Sequence, residues 1–365
     1  MFLLLLYGSL LAADQMPNRN IPPMANEKAS KKTTDAATAA QKKAEEKTAK
    51  NTEQKLGAKN DADLGVPEVL IVLGAPGASE YEKAFQSWMN DWEIAAKKGG
   101  AKVTLLGEKE LPEAPVKERL RAYLQKATAD RPLWIVLIGH GTDDGKECRF
   151  NLIGPDVSAT EMKSWLEKLK RPIAVIHCGS SSAPFLKALS APGRVIVTAT
   201  RSGSESNYAR FGKYLAQALG ESRADLDLDG QVSLLEAFLF ASAGVAEFYK
   251  GEGRLATEHA LIDDNGDGLG SQADWFQGIR AVKKAKDGAQ VDGQRAHQWH
   301  LMPSEKEKGL SASARKKRDE LELKLFQWRD QKARLNEDDY YQGLEKILTE
   351  LGAIYLESKK APLAP

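Results

Sequence analysis

Apolar residues in this chain gather in short continuous runs, separated by longer stretches in which they return every three or four positions. The runs VLIVL after Val66-Pro67, VTLL after Ala101, LWIVLI from Leu133, IAVI from Ile173 and VIVT from Val195 are too short for buried helices and rich in branched side chains. Bounded by Gly, Pro and Lys, they predict strands buried on both faces. The periodic stretches predict amphipathic helices: YEKAFQSWMNDWEIAAKK, stopped by Gly99-Gly100; VKERLRAYLQKATA; a short helix opening at Pro184; and ARFGKYLAQAL. In SATEMKSWLEKL, Ser158 stands where an N-cap belongs, and Met162, Trp165, Leu166 and Leu169 make one stripe. Strands alternating with helices predict an α/β fold whose mostly parallel sheet is covered on both faces.

The pattern changes at both ends. MFLLLLYGSLLAAD is an apolar run ending in small residues, read as a signal peptide over 1–13 although no Lys or Arg precedes it, so the protein is expected to be exported. Residues 14–64 are Lys, Ala, Thr, Glu and Asn with almost no large apolar side chain, a composition that cannot offset its ordering entropy and predicts a linker. From Pro303 charged helix formers dominate. Leu321, Leu325 and Trp328 form one stripe; after Asn336 as cap, Leu344, Leu348, Leu351 and Tyr355 form another. A helical hairpin over 303–365 follows, which either folds back on the α/β domain or self-associates with a second chain.

Composition excludes more than it assigns. The 52 Lys and Arg nearly cancel 51 Asp and Glu, which gives no electrostatic case for nucleic acid or an anionic membrane surface. After the first residues no segment approaches the ~20 apolar residues that spanning a bilayer needs. With two cysteines there is no disulfide framework, and no His or Cys pair has zinc-ligand spacing. GAPG after the first strand lacks phosphate-loop spacing and reads as a turn.

Reactive side chains fall at two strand ends. His140 follows LWIVLIG and Cys178 follows IAVIH, and a right-handed strand-helix-strand crossover brings both to one rim of a parallel sheet, where ligands bind in open α/β folds. The helix starting near Pro184 is expected to lower the thiol pKa. At His140-Gly141 and His177-Cys178-Gly179 the chain resembles the caspase and legumain clan of cysteine peptidases, and Val195 to Phe211 looks like the legumain segment that follows the nucleophile strand and lines the specificity pocket. The likeness runs in order from Val66 to Tyr249. It implies a caspase-like three-layer sandwich over 65–300 and a cysteine endopeptidase acting on peptide or protein substrates. In it Cys178 is the nucleophile, His140 the acid, and the amides of Gly141 and Cys178 bind the oxyanion. His177 beside the thiol and the run Ser180 to Ser182 depart from the clan, which keeps open a second reading, a catalytically inactive caspase-fold module. GAPGASEY carries no Arg for an acidic substrate; Glu205, with Ser206 beside it, is a candidate to receive Lys or Arg.

DLDLDGQVSLLE fills an EF-hand calcium loop, with Asp225, Asp227 and Asp229 at positions 1, 3 and 5, Gly230 at 6, the Gln231 carbonyl at 7, Ser233 at 9 and Glu236 at 12. Ca2+ is the expected cofactor. DDNGDGLGSQAD repeats the order with Asp263, Asn265, Asp267 and Asp274. It has Gly270 at the apolar position and the shorter Asp at the close, so it is either a degenerate second site or a polar turn.

Overall fold

The computed structural model describes residues 66–107, 114–126, 131–287 and 289–358. The expected signal peptide and linker lie outside them. Six strands form the central sheet: β1 (Glu68–Leu73), β2 (Lys102–Leu106), β3 (Leu133–Ile138), then, after a small antiparallel sheet of β4 (Gly141–Asp143), β5 (Cys148–Phe150) and β6 (Val157–Ser158), the strands β7 (Ile173–His177), β8 (Arg194–Thr198) and β9 (Leu261–Asp263). The order across the sheet is β2-β1-β3-β7-β8-β9; the first five are parallel and β9 is antiparallel to β8.

Two helical layers cover it, because alternate residues of every central strand are apolar on both faces. On one face α1 (Ser79–Lys98), α5 (Phe211–Ala218) and α6 (Leu234–Gly251) pack over Ile71, Val136, Ile176 and Val197. On the other, α2 (Val116–Lys126), α3 (Ala159–Leu166) and α4 (Ala183–Leu189) pack over Leu70, Ile135, Val175 and Ile196. This is the expected α/β sandwich. Ser158 caps α3 in a reciprocal capping box with Glu161, as its position before the apolar stripe implies. The β4–β6 sheet and the antiparallel edge were not legible in the pattern, since strands of two or three residues are too short to show a period.

The edge is tied down by a buried carboxylate. Asp264, next to β9, accepts hydrogen bonds from the amides of Gly293, Arg295 and Ala296, and its own amide donates to Asp292 Oδ1. Asp292 in turn accepts from Ser271 Oγ at 2.6 Å.

Beyond it come the short α7 (Glu305–Lys308), α8 (Ala312–Arg329) and α9 (Glu337–Ser358). α8 and α9 form the expected hairpin, and the Asn336 side chain accepts from the Asp339 amide as cap. The buried stripe of α9 is Tyr340, Ile347 and Ile354, at a spacing of seven, with Leu344, Leu348 and Leu351 only half-buried beside it. The hairpin folds back on the α/β body: Gln298 Nε2 donates to Asp319 O, and the Ser304 amide to Gln231 Oε1. Among the described residues no helix is long and apolar enough to cross a membrane.

Candidate functional site at the carboxyl rim and the acidic loops

The crossover from β3 through α3 to β7 brings His140 and Cys178 to the same edge. Leu137 pairs with His177, so Cys178 follows one step along, beside Ile138. Both residues fall on the face covered by α1 and α5, and no hydrogen bond joins them. His140 is half-buried among the rings of Tyr81 and Phe85, 5.0 and 5.1 Å away, with Nε2 3.2 Å from the carbonyl of Pro76; burial lowers its pKa.

Cys178 departs from the expected nucleophile in two ways. Its side chain is closed in: the residue is 1% exposed, and a Cβ added to Gly212 of α5 would stand 2.6 Å from its Cβ, with Trp88 beside it. Burial pushes its pKa up to about 12, where the sequence predicts a lowered value, since α4 starts five residues later and nothing charged faces the sulfur. Its amide is also engaged, donating to Leu137 O at 2.9 Å as part of the sheet ladder. The other expected oxyanion donor, the Gly141 amide, points at Ser180 Oγ at 3.3 Å, and that hydroxyl donates back to Gly141 O. This clasp was missed in the sequence because a serine run carries no spacing signal.

The turn after β7 is held from three sides. Ser181, in the left-handed region at φ 51°, donates its amide to Glu205 O, while its carbonyl accepts from Cys148 Sγ and Ser182 Oγ pairs with Thr200. Cys148 and Cys178 are both free thiols. Glu205 does not stand open to a substrate cation. Its carboxylate is 2.6 Å from His259 Nδ1 and accepts from the amides of His259 and Arg201, while Ser206 is exposed beside it.

The first acidic loop lies between α5 and α6. Carboxylate oxygens of Asp225, Asp227 and Asp229 fall within 4.8 Å of one another. The loop is wound by its own side chains: the Asp229 and Gly230 amides donate to Asp225, and the Gln231 amide to Asp229. Positions 4 and 6, Leu228 and Gly230, both have positive φ. Burial, then the charges of Asp229 and Glu236, raise Asp227 to about 7. That cost is what a bound cation would relieve, so the donor set fits Ca2+. Ser233 and Glu236, the expected closing ligands, form the capping box that starts α6, and Glu236 Oε1 also accepts from the amides of Leu226 and Asp227.

The second loop repeats this winding. Gly266 and Gly268 at positions 4 and 6 have positive φ, their amides donate to Asp263, and those of Asp267 and Leu269 donate to Asn265 and Asp267. Asp274 does not close it, lying exposed with Lys283 3.9 Å away. Gly270 is explained by its neighbours: its φ is 54° and a Cβ there would come within 2.9 Å of Leu186.

No family model matches the chain, and no curated protein does. Among solved structures, similar ones include the Drosophila initiator caspase Dronc, at 14% identity and TM-score 0.36 over 57% of this chain and 81% of that one. Caspase-1 of Spodoptera frugiperda gives 10% and 0.34 over 55% and 86%. A Geobacter sulfurreducens protein gives 11% and 0.35 over 54% and 92%.

Proposed function

We propose that this protein is a calcium-stabilised binding module on a caspase-type scaffold, exported from the cell, in which Cys178 serves as a core residue. The observation that carries this reading is the state of Cys178. A thiol nucleophile needs access, a lowered pKa and a neighbouring oxyanion donor. Here the sulfur is enclosed, its pKa is raised, and its amide belongs to the sheet. Asp225, Asp227 and Asp229, with the Gln231 carbonyl, would hold the ion, and Asp263, Asn265 and Asp267 would form a weaker second site.

A second reading, a cysteine endopeptidase using His140 and Cys178, is favoured by their shared rim and by the packing of both against α1. It requires the turn at 179–182 to open and free the Gly141 amide from Ser180. Labelling with a library of peptidyl acyloxymethyl ketones separates the two. The module reading expects no label on native protein and alkylation of Cys178 by iodoacetamide only after unfolding. Label on Cys178 that disappears in His140→Ala would overturn it in favour of the peptidase.

A further inference from the structure

The opposite edge of the sheet, where the parallel strands begin, holds a cleft of about 680 Å3. Its floor is formed by Pro67, Pro132 and Pro172, each directly before a strand, and its far wall by Arg315, Asp319 and Leu323 of α8. Small-molecule sites occupy clefts of roughly 300–1,000 Å3.

Unsatisfied nitrogen concentrates here. Among the described residues, two buried side-chain nitrogens without a partner line this one cleft: Arg171 Nη2 and His300 Nε2. Arg171 is the stronger. Its side chain is 1% exposed and fixed by two partners, Nη1 on Glu68 Oε2 at 2.9 Å and Nε on Arg131 O, which leaves Nη2 as its one unpaired nitrogen. A buried, unpaired donor is costly, and native structures rarely leave one without a protein, water or ligand partner.

Beyond Glu68, which pairs with Arg171 itself, two further cations of the sheet end line the cleft. Arg194 pairs in register with Ile173, two residues after Arg171, and lines the same cleft, partly desolvated and with Nη1 on Leu189 O. Lys170 lines the same wall. The helical wall is neutralised within itself, Glu307 standing between Arg315 and Arg318, and Arg318 against Asp319. Trp299, edge-on to Trp134 at 5.1 Å, adds a flat apolar surface.

We infer that this cleft binds a small molecule carrying an oxyanion, a carboxylate or phosphate monoester, on a planar apolar body. The oxyanion accepts a charge-assisted hydrogen bond from Arg171 Nη2 and another from Arg194. The body lies against Trp299 and the prolines. This site is separate from the carboxyl rim and stands whether or not Cys178 acts as a nucleophile.

Calorimetry and tryptophan fluorescence on the full chain, at constant ionic strength, test it with benzoate and phenyl phosphate as probes and benzyl alcohol as the neutral control. Saturable binding of at least one anionic probe is expected, about tenfold weaker in Arg194→Met and in Arg171→Lys, which keeps the charge opposite Glu68 but removes the Nη2 donor. Should Arg171→Lys fail to fold, Arg194→Met decides alone. No saturable binding of either anion, undiminished binding in Arg194→Met, or equal binding of benzyl alcohol would each overturn the proposal.

Discussion

His177 is fully buried at the end of β7, edge-on to Phe150 and Phe185 at 5.2 and 4.7 Å, with Nδ1 accepting from the Gly179 amide at 3.1 Å. Burial lowers its pKa to about 3, so the folded protein holds it neutral. The unfolded chain takes up a proton near pH 6.5 and the folded one does not. Stability from this group is therefore complete above pH 6.5 and is lost as pH falls toward 3, at about 1.4 kcal/mol per pH unit. His177→Asn keeps an acceptor for Gly179 but cannot titrate; in urea unfolding from pH 7 to pH 4 its slope should be shallower by that amount. Equal slopes would show that His177 is not held neutral. The same burial explains why the sequence was informative about where His140 and Cys178 stand and silent about what they do. A residue at a strand end is fixed by the run before it, whereas access to a thiol depends on what covers it. That cover comes from Gly212 and Trp88, distant in the chain and individually unremarked by any pattern.

At the scale of elements, the acidic loop predicts opposite responses in two conditions. Because Asp227 is raised to about 7, stability associated with its neutral form is present below the unfolded value near 3.8 and is lost as pH rises through 7. Calcium reverses this by pairing the charges. At pH 8, Asp227→Asn should melt higher than wild type in chelator and lower in calcium. Calcium should stabilise wild type by ~2.7 kcal/mol at a hundredfold excess over Kd, most of it lost in Asp225→Ala and less in Asp263→Ala. An identical wild-type melting temperature with calcium and with chelator would remove the ion from the proposal. The winding of the loops was legible because the carboxylates that make it lie within a few residues of one another in the chain. Their difference was legible only in part, since the need for glycine at 270 comes from Leu186, distant in the chain.

The hairpin offers a matched pair. A Cβ on Gly343 would fall 2.1 Å from the Trp328 ring, whereas one on Gly352 meets nothing within 4 Å. Gly343→Ala should cost about 1–3 kcal/mol by overpacking, and Gly352→Ala should gain up to about 1 kcal/mol from helix propensity. Denaturant midpoints for the two variants should move in opposite directions; a shift of the same sign in both would mean that Trp328 does not lie against α9.

For the whole molecule, the tie at Asp264 changes what continuity of the chain means. Its carboxylate grips amides some thirty residues downstream, and Asp292 grips back, so the segment between them begins and ends at one place. Closing such a loop has an entropic cost that grows only slowly with its length, and here polar contacts outside the loop's interior carry the closure. The interval 282–287, exposed or half-exposed and rich in Lys, is thus dispensable as a covalent link. Trypsin should be able to cut at Lys283, Lys284 or Lys286 and leave two fragments that co-elute in native buffer and separate in urea. In Asp264→Ala the same cut should give fragments that separate at a lower urea concentration than those of wild type. The protein would then be a two-piece assembly joined by a buried carboxylate and by Ala296 and Leu301 in the shared core, with the hairpin and one wall of the basal cleft on the smaller piece.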